Sequence, residues 1–171
     1  MPKQLKRTSG EIIISGLVAE TVINTYQQDE IDLQLNVLDR EVFVVTAVDI
    51  GVDRPDGIAG VDTIVQGCLS VTNRDSIGSI ANSNVIASGV KAVMSLGYAD
   101  AGVGFSTVSP ETPTGSSLEY IAIISTNNFF AAVKGQGNNA IKNMVFRMWG
   151  YRATADAGTF AALSQSELLS A

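Results

Sequence analysis

Three features of the sequence predict an all-β fold, an antiparallel sandwich or barrel of about eight strands. Apolar, β-branched runs recur along the chain, separated by stretches of Gly, Ser, Asn, Thr and Asp. Turn signals fall between these runs at the spacing of an all-β domain. Strands do not alternate regularly with helical segments, which argues against a parallel α/β sheet.

Residues 1–10 read as a basic N-terminal arm, and residues 11–171 as one β-sandwich domain. From Glu11 to Tyr26, the positions Ile13, Leu17, Val18, Val22 and Ile23 fit a helix by spacing and a strand by residue type, so both readings stay open. Ile31, Leu33, Leu35 and Val37 alternate with Asp32, Gln34 and Asn36, the period of a half-buried strand. Val42–Val52 is rich in Val and Ile and predicts a long strand near a sheet centre. Pro55-Asp56-Gly57 is a turn, because Pro presets φ and Gly accepts positive φ. Thr63–Thr72 is the next strand. Asn73–Gly89 reads as loop, with a short strand near Val85-Ile86-Ala87, and Val90–Leu96 as strand or one helical turn. A weak strand is expected over Val103–Val108, and the strongest loop signal over Ser109–Ser117. Leu118–Ser125, Phe129–Lys134 and Lys142–Ala153 read as strands, with a turn at Gly135–Asn139. In the last strand Met144, Phe146, Met148 and Gly150 share one face, and Val145, Arg147, Trp149 and Tyr151 the other. Phe160, Leu163, Glu167 and Leu168 suit a short C-terminal helix capped by Asp156 or Thr159.

The chain has no histidine and one cysteine, Cys68. The missing base removes Ser-His and Cys-His catalysis. No spacing singles out a Ser-Lys or carboxylate mechanism. The expectation is a protein that is not an enzyme and needs no cofactor. Cys68 has no partner for an internal disulfide or a cysteine zinc site and reads as a small buried hydrophobe. No stretch approaches the ~18 apolar residues of a membrane span, and Ile12-Ile13-Ile14 is too short for a cleavable leader.

Net charge is −6, unevenly placed. Lys3, Lys6 and Arg7 lie in the first ten residues with no acid, so the body is acidic and does not attract nucleic acid. Three charges on an arm permit only weak, salt-sensitive phosphate contact. Charged residues make up 16% of the chain, against about 25% in an average domain. Such a surface suits a homo-oligomer with large subunit contacts.

Two constellations are candidates for binding. Asp49, Asp53, Asp56 and Asp62 surround the Pro55-Asp56-Gly57 turn, and several carboxylates on one loop can hold Ca²⁺. Their spacing does not match the helix-loop-helix calcium loop, and Asp beside Gly and Pro is ordinary turn chemistry. Arg147, Trp149 and Tyr151 share a strand face that can serve as a partner or sugar platform. The rival reading packs Trp149 into the core or against the C-terminal segment. Gly135-Gln136-Gly137 lacks the ending and the context of a phosphate cradle and reads as a hairpin turn.

The strand Glu41–Ile50, the pair Tyr120–Ser125 and Phe129–Val133, and the late strand Met144–Arg152 together resemble a viral capsid protein of the single jelly-roll type. The resemblance covers roughly residues 30–153 and is one of pattern and composition. It implies two antiparallel four-stranded sheets, self-assembly into an icosahedral shell, and a genome-facing arm whose part only Lys3, Lys6 and Arg7 can play. The arm departs from polybasic arms, so a subunit clamp or an internal membrane fits three charges better. The leading expectation is therefore a major capsid subunit, made in the host cytoplasm and residing in the virion, with itself and other capsid proteins as partners. A phage tail-tube, fibre or decoration subunit, and a carbohydrate-binding β-sandwich, are the alternatives.

Overall fold

The computed structural model describes residues 5–97 and 119–169, and residues 105–110 by backbone alone. Within them lie ten strands and one α-helix: β1 (Leu5–Arg7), β2 (Ile12–Ala19), β3 (Gln27–Asp32), β4 (Glu41–Val52), β5 (Thr63–Ser70), β6 (Val85–Met94), β7 (Phe105–Pro110), β8 (Ala122–Ile124), β9 (Asn128–Gln136), β10 (Asn143–Ala155) and α1 (Ala157–Leu169). One sheet runs β1-β10-β4-β8, with β2 also on β10, and the other runs β3-β9-β5-β6-β7. All pairings are antiparallel. The pairs β2·β10, β3·β9, β4·β8 and β5·β6 nest inside one another. A long hairpin of eight strands, wrapped so that its pairs alternate between two sheets, is a jelly roll. β1 and β7 are additions to that eight.

The core lies between the sheets. Val18, Phe43, Val45, Val48, Met144, Phe146 and Met148 from the first sheet meet Val65, Leu69, Phe129 and Val133 from the second. Phe129 and Phe146 meet edge to face across the layer, centroids 5.8 Å apart at 84°. Such a pair adds about 1 kcal/mol beyond the area it buries. The alternation predicted for β10 is observed: Met144, Phe146, Met148 and Gly150 are buried, while Val145 and Arg147 are exposed.

β4 changes face partway along. Its register against β10 shifts between Trp149↔Ala47 and Gly150↔Val45, which leaves Thr46 as an extra residue. The Thr46 hydroxyl donates to the Trp149 carbonyl at 3.2 Å. Before the bulge Phe43 and Val45 point inward; after it Val48 and Val52 do. Val42 and Val44 therefore face outward, where they form a second core with Leu5, Tyr151, Ala153 and Ala155 beneath Phe160 and Leu163 of α1. The unbroken Val42–Val45 run is apolar because both of its faces are covered.

Several elements differ from the sequence expectation. The ambiguous segment after Gly10 is a strand, β2. The alternating stretch from Ile31 leaves the sheet after Asp32. Leu33 and Leu35 are still buried, because Asn127 carries their backbone: the Leu33 amide donates to its carbonyl at 2.7 Å and the Leu35 amide to its Oδ1 at 2.5 Å. Val85–Met94 is one continuous strand, which joins the short strand expected near Val85–Ala87 to Val90–Leu96 and decides the latter for strand over helical turn. The arm is tied from Leu5 onward, since Leu5, Lys6 and Arg7 pair with Ala155, Thr154 and Ala153. Asp156, not Thr159, caps α1: its Oδ1 accepts the Thr159 amide at 2.7 Å. Most of the stretch expected as loop over Ser109–Ser117 lies outside the described residues.

Gly150 is required at the bulge. A Cβ there would sit 2.4 Å from the Val44 carbonyl oxygen and 2.5 Å from the Phe43 ring. Gly150→Ala is expected to lower stability by about 1–3 kcal/mol. The urea midpoint should fall with an unchanged m-value; an unmoved midpoint would mean that the bulge yields freely.

Candidate functional site

The two sheets are covered differently on the outside. On the second sheet, loop 71–84 folds back over β5 and β6. Arg74 donates to Asn84 Oδ1 at 2.7 Å and, through its amide, to Gln28 Oε1 at 3.0 Å. The Gly78 amide donates to Cys68 Sγ at 3.4 Å. Cys68 is 0% exposed, and burial raises its thiol pKa above the ordinary value. It is the buried hydrophobe the sequence suggested, with no thiolate to offer a reaction.

On the first sheet only part of the outer face is covered. α1 lies over Val42, Val44, Tyr151 and Ala153 through Phe160 and Leu163, with Leu5 of β1 beside them. The remainder is open, in three cross-strand rows: Ile13–Trp149–Ala47, Ser15–Arg147–Asp49 and Leu17–Val145–Gly51. Ile13, Leu17 and Val145 are exposed and Trp149 is half-buried. A shallow depression runs between Leu17, Val145, Arg147 and Asp49. The Arg147 guanidinium lies 5.8 Å from the Trp149 ring centroid, within cation–π reach.

The sequence placed Arg147, Trp149 and Tyr151 on one face, and so does the structure. Only the first two lie on the open part of that face. Tyr151 is 8% exposed, packed into the second core, with the Arg7 guanidinium 4.4 Å above its ring. A stacking platform of Trp149 and Tyr151 is thus not formed. Arg7 also donates from Nε to the Ser9 carbonyl at 2.7 Å. Lys6 is exposed on β1, and Lys3 lies outside the described residues.

The four aspartates do not converge. Asp49 sits on the open sheet face beside Arg147. Asp53 Oδ2 accepts the Asn143 amide at 3.0 Å. Asp62 Oδ1 accepts the amides of Ser95 and Leu96, both at 2.8 Å. Asp56 Oδ1 takes the Lys142 ammonium at 2.6 Å, and its Oδ2 the Asn139 amide at 2.8 Å. Among the described residues no group of three or more His, Cys, Asp or Glu side chains can hold a metal ion. Of the four aspartates offered for calcium, three place their carboxylates on the chain's own amides and on Lys142.

Two features were not foreseen from sequence. One is a polar latch at one end of the sandwich. Buried Glu20 accepts the amides of Gly135 at 2.6 Å and Lys142 at 2.9 Å. Asn138 exchanges bonds with Asn24 and accepts the Asp56 amide at 2.9 Å. The other is Glu167 on α1, which accepts the Ser125 amide at 2.7 Å, its hydroxyl at 2.9 Å and the Thr126 amide at 3.1 Å. Glu167 thereby fixes α1 to the β8–β9 turn. Its position on the inner side of a helix was the available signal.

No protein-family model matches the chain, and no curated protein matches it. A solved structure of Desmodium yellow mottle tymovirus is similar over 92% of this chain and 95% of that one, at 9% identity and a TM-score of 0.30. Among the described residues no helix is long and apolar enough to cross a membrane.

Two outcomes test this description. Tyr151→Ala should cost about 3 kcal/mol, as for a large buried aromatic, and Trp149→Ala clearly less. Urea titration of both variants ranks them; equal losses would put Trp149 in the core. The hydrogen bond and charge of Lys142 hold the Asp56 carboxyl below its ordinary pKa. A depressed folded pKa stabilises the fold above the unfolded carboxylate range, and that contribution fades as pH falls through the folded value. Stability profiles of wild type and Asp56→Asn should therefore converge in acid and separate toward neutrality; parallel profiles would remove the latch from the acid limb.

Proposed function

We propose that this chain is a structural, self-assembling subunit, the major capsid protein of an icosahedral virion, without enzymatic activity. The observation that carries the reading is the surface left on the jelly roll. Fifteen large apolar side chains are exposed among the described residues, on a chain with only 16% charged residues. Three of them, Ile13, Leu17 and Val145, share one open sheet face, and contiguous apolar patches mark association surfaces. Jelly rolls serve capsids and lectins alike, so the surface must decide between them. Against a lectin-type module stand the buried Tyr151 and the occupied carboxylates. In favour of assembly stand the open apolar rows on β2 and β10 and the exposed Val22, Ile23 and Ile141. Synthesis in the host cytoplasm and residence in the virion follow from this role. Lys3, Lys6 and Arg7 would give at most a weak genome contact, with Arg7 engaged on Tyr151.

Negative-stain electron microscopy with light scattering, at low and high salt, tests the reading. Closed uniform shells, or rings of five and six subunits, are the expected result. Open tubes would replace it with a tail-tube subunit. A monomer at every concentration that binds sugar through Trp149 would overturn it in favour of a carbohydrate module.

A further inference from the structure

α1 is unusual for a surface helix. Its thirteen residues carry a single charge, Glu167, and that side chain is 7% exposed, turned inward onto Ser125 and Thr126. From Ala161 onward the exposed positions are Ala161, Ala162, Gln165, Ser166, Leu168 and Leu169, none of them charged, with Leu168 75% and Leu169 79% exposed. A helix facing water normally shows charge on its outer side, and one apolar on both sides is normally buried. α1 thus presents an uncharged, exposed outer side that ends in Leu168 and Leu169.

The same sheet offers the counterpart. Where α1 sits, the outer face accepts a helix through Val42, Val44 and Tyr151. Where α1 stops, the face continues as Ile13, Leu17, Val145 and half-buried Trp149, with no helix of the described residues over it. α1 cannot slide across to cover it, because the Asp156 cap directly follows β10 and Glu167 holds the far end.

We infer that a second copy of this chain covers both surfaces at once, each subunit's α1 lying on the open Ile13–Leu17–Val145 face of the other. The inference rests on the self-assembly reading above and names its contact. A helix with an exposed outer side and a sheet face beside it occur on one molecule, and two-fold symmetry joins both pairs in one isologous interface. Size agrees. A thirteen-residue helix is about 20 Å long and roughly 10 Å wide, and each subunit takes part in two such contacts. With side-chain relief the pair approaches the roughly 800 Å² per partner of a specific interface. The outer helix face brings no charge to be stripped of water, and the Arg147–Asp49 row it would cover carries one charge of each sign.

Thiol cross-linking tests the contact cleanly, because Cys68 is 0% exposed and introduced cysteines alone will react. Leu17→Cys and Leu168→Cys are made separately, mixed, and treated with a short bis-maleimide. The mixed 17–168 product should exceed either like-with-like product several-fold. Leu17→Asp and Leu168→Asp, both at exposed positions, should stay folded by circular dichroism and lose the dimer by light scattering. Wild-type association with only 17–17 or 168–168 products, or with both Asp variants associating normally, overturns this contact and leaves self-assembly standing. A wild-type protein that is monomeric at all concentrations overturns both.

Discussion

β10 is hydrogen-bonded along both edges, to β4 on one side and to β2 and then β1 on the other, and this double pairing organises the molecule. Its inner face supplies Met144, Phe146 and Met148 to the inter-sheet core, and its outer face supplies Tyr151, Ala153 and Ala155 to the second core. The extra residue Thr46 in β4 keeps the two strands paired while reversing which β4 residues face out. On one side of the bulge the outer face shows Val42 and Val44; on the other it shows Ala47, Asp49 and Gly51. The first set needs a cover and receives α1. The second has none among the described residues. One inserted residue thus divides a single sheet face into an occupied and a vacant part.

The polar groups that look chemically available are spent on holding the ends of the sandwich together. A buried amide without a partner costs about 1–3 kcal/mol, so turns that pack tightly must find acceptors. Glu20, Asp53, Asp56, Asp62 and Glu167 are those acceptors. Each reaches across to a segment far away in sequence, from β2 to the β9–β10 turn or from α1 to the β8–β9 turn. Acids placed this way fix loop geometry and leave little coordination capacity for an ion. Gly137, at φ +71° in the same turn, shows how tight the packing is: a Cβ there would meet the Asp62 carbonyl oxygen at 2.5 Å.

Much of this architecture is legible in the sequence, and the failures have physical causes. Period-two alternation read β10 correctly, residue by residue, because one side packs in the core and half of the other meets solvent. The same alternation misplaced β3: Leu33 and Leu35 alternate inward along a stretch hydrogen-bonded to Asn127 and not to a neighbouring strand. Burial periodicity reports faces, not ladders. Val85–Met94 was obscured by its small residues, Ala87, Ser88 and Gly89, one of which lets Ile50 approach closely. Arg147 and Trp149 were visible as a surface pair. Tyr151 was not separable from them, because its burial depends on α1 and on Arg7, neither of which leaves a mark in the local pattern. The aspartates clustered in sequence but were claimed singly by distant amides, which no spacing rule reveals.

Charge is distributed as though some sides of the molecule were to remain free and others were not. β3, an edge of its sheet, carries Asp29, Glu30 and Asp32 in six residues. Charged edges resist strand-to-strand association. β2, at an edge of the other sheet, has no charged residue in eight. The open outer face beside it is apolar around a single Arg147–Asp49 row, and the helix bordering that face turns its one charge inward. A monomer would gain solubility from acids or lysines at Leu17, Val145 or Leu168 at almost no cost in stability, since none of these side chains is buried. Their apolar character, next to an edge strand without a charged residue, is what the proposed self-assembly asks of a surface completed by neighbours.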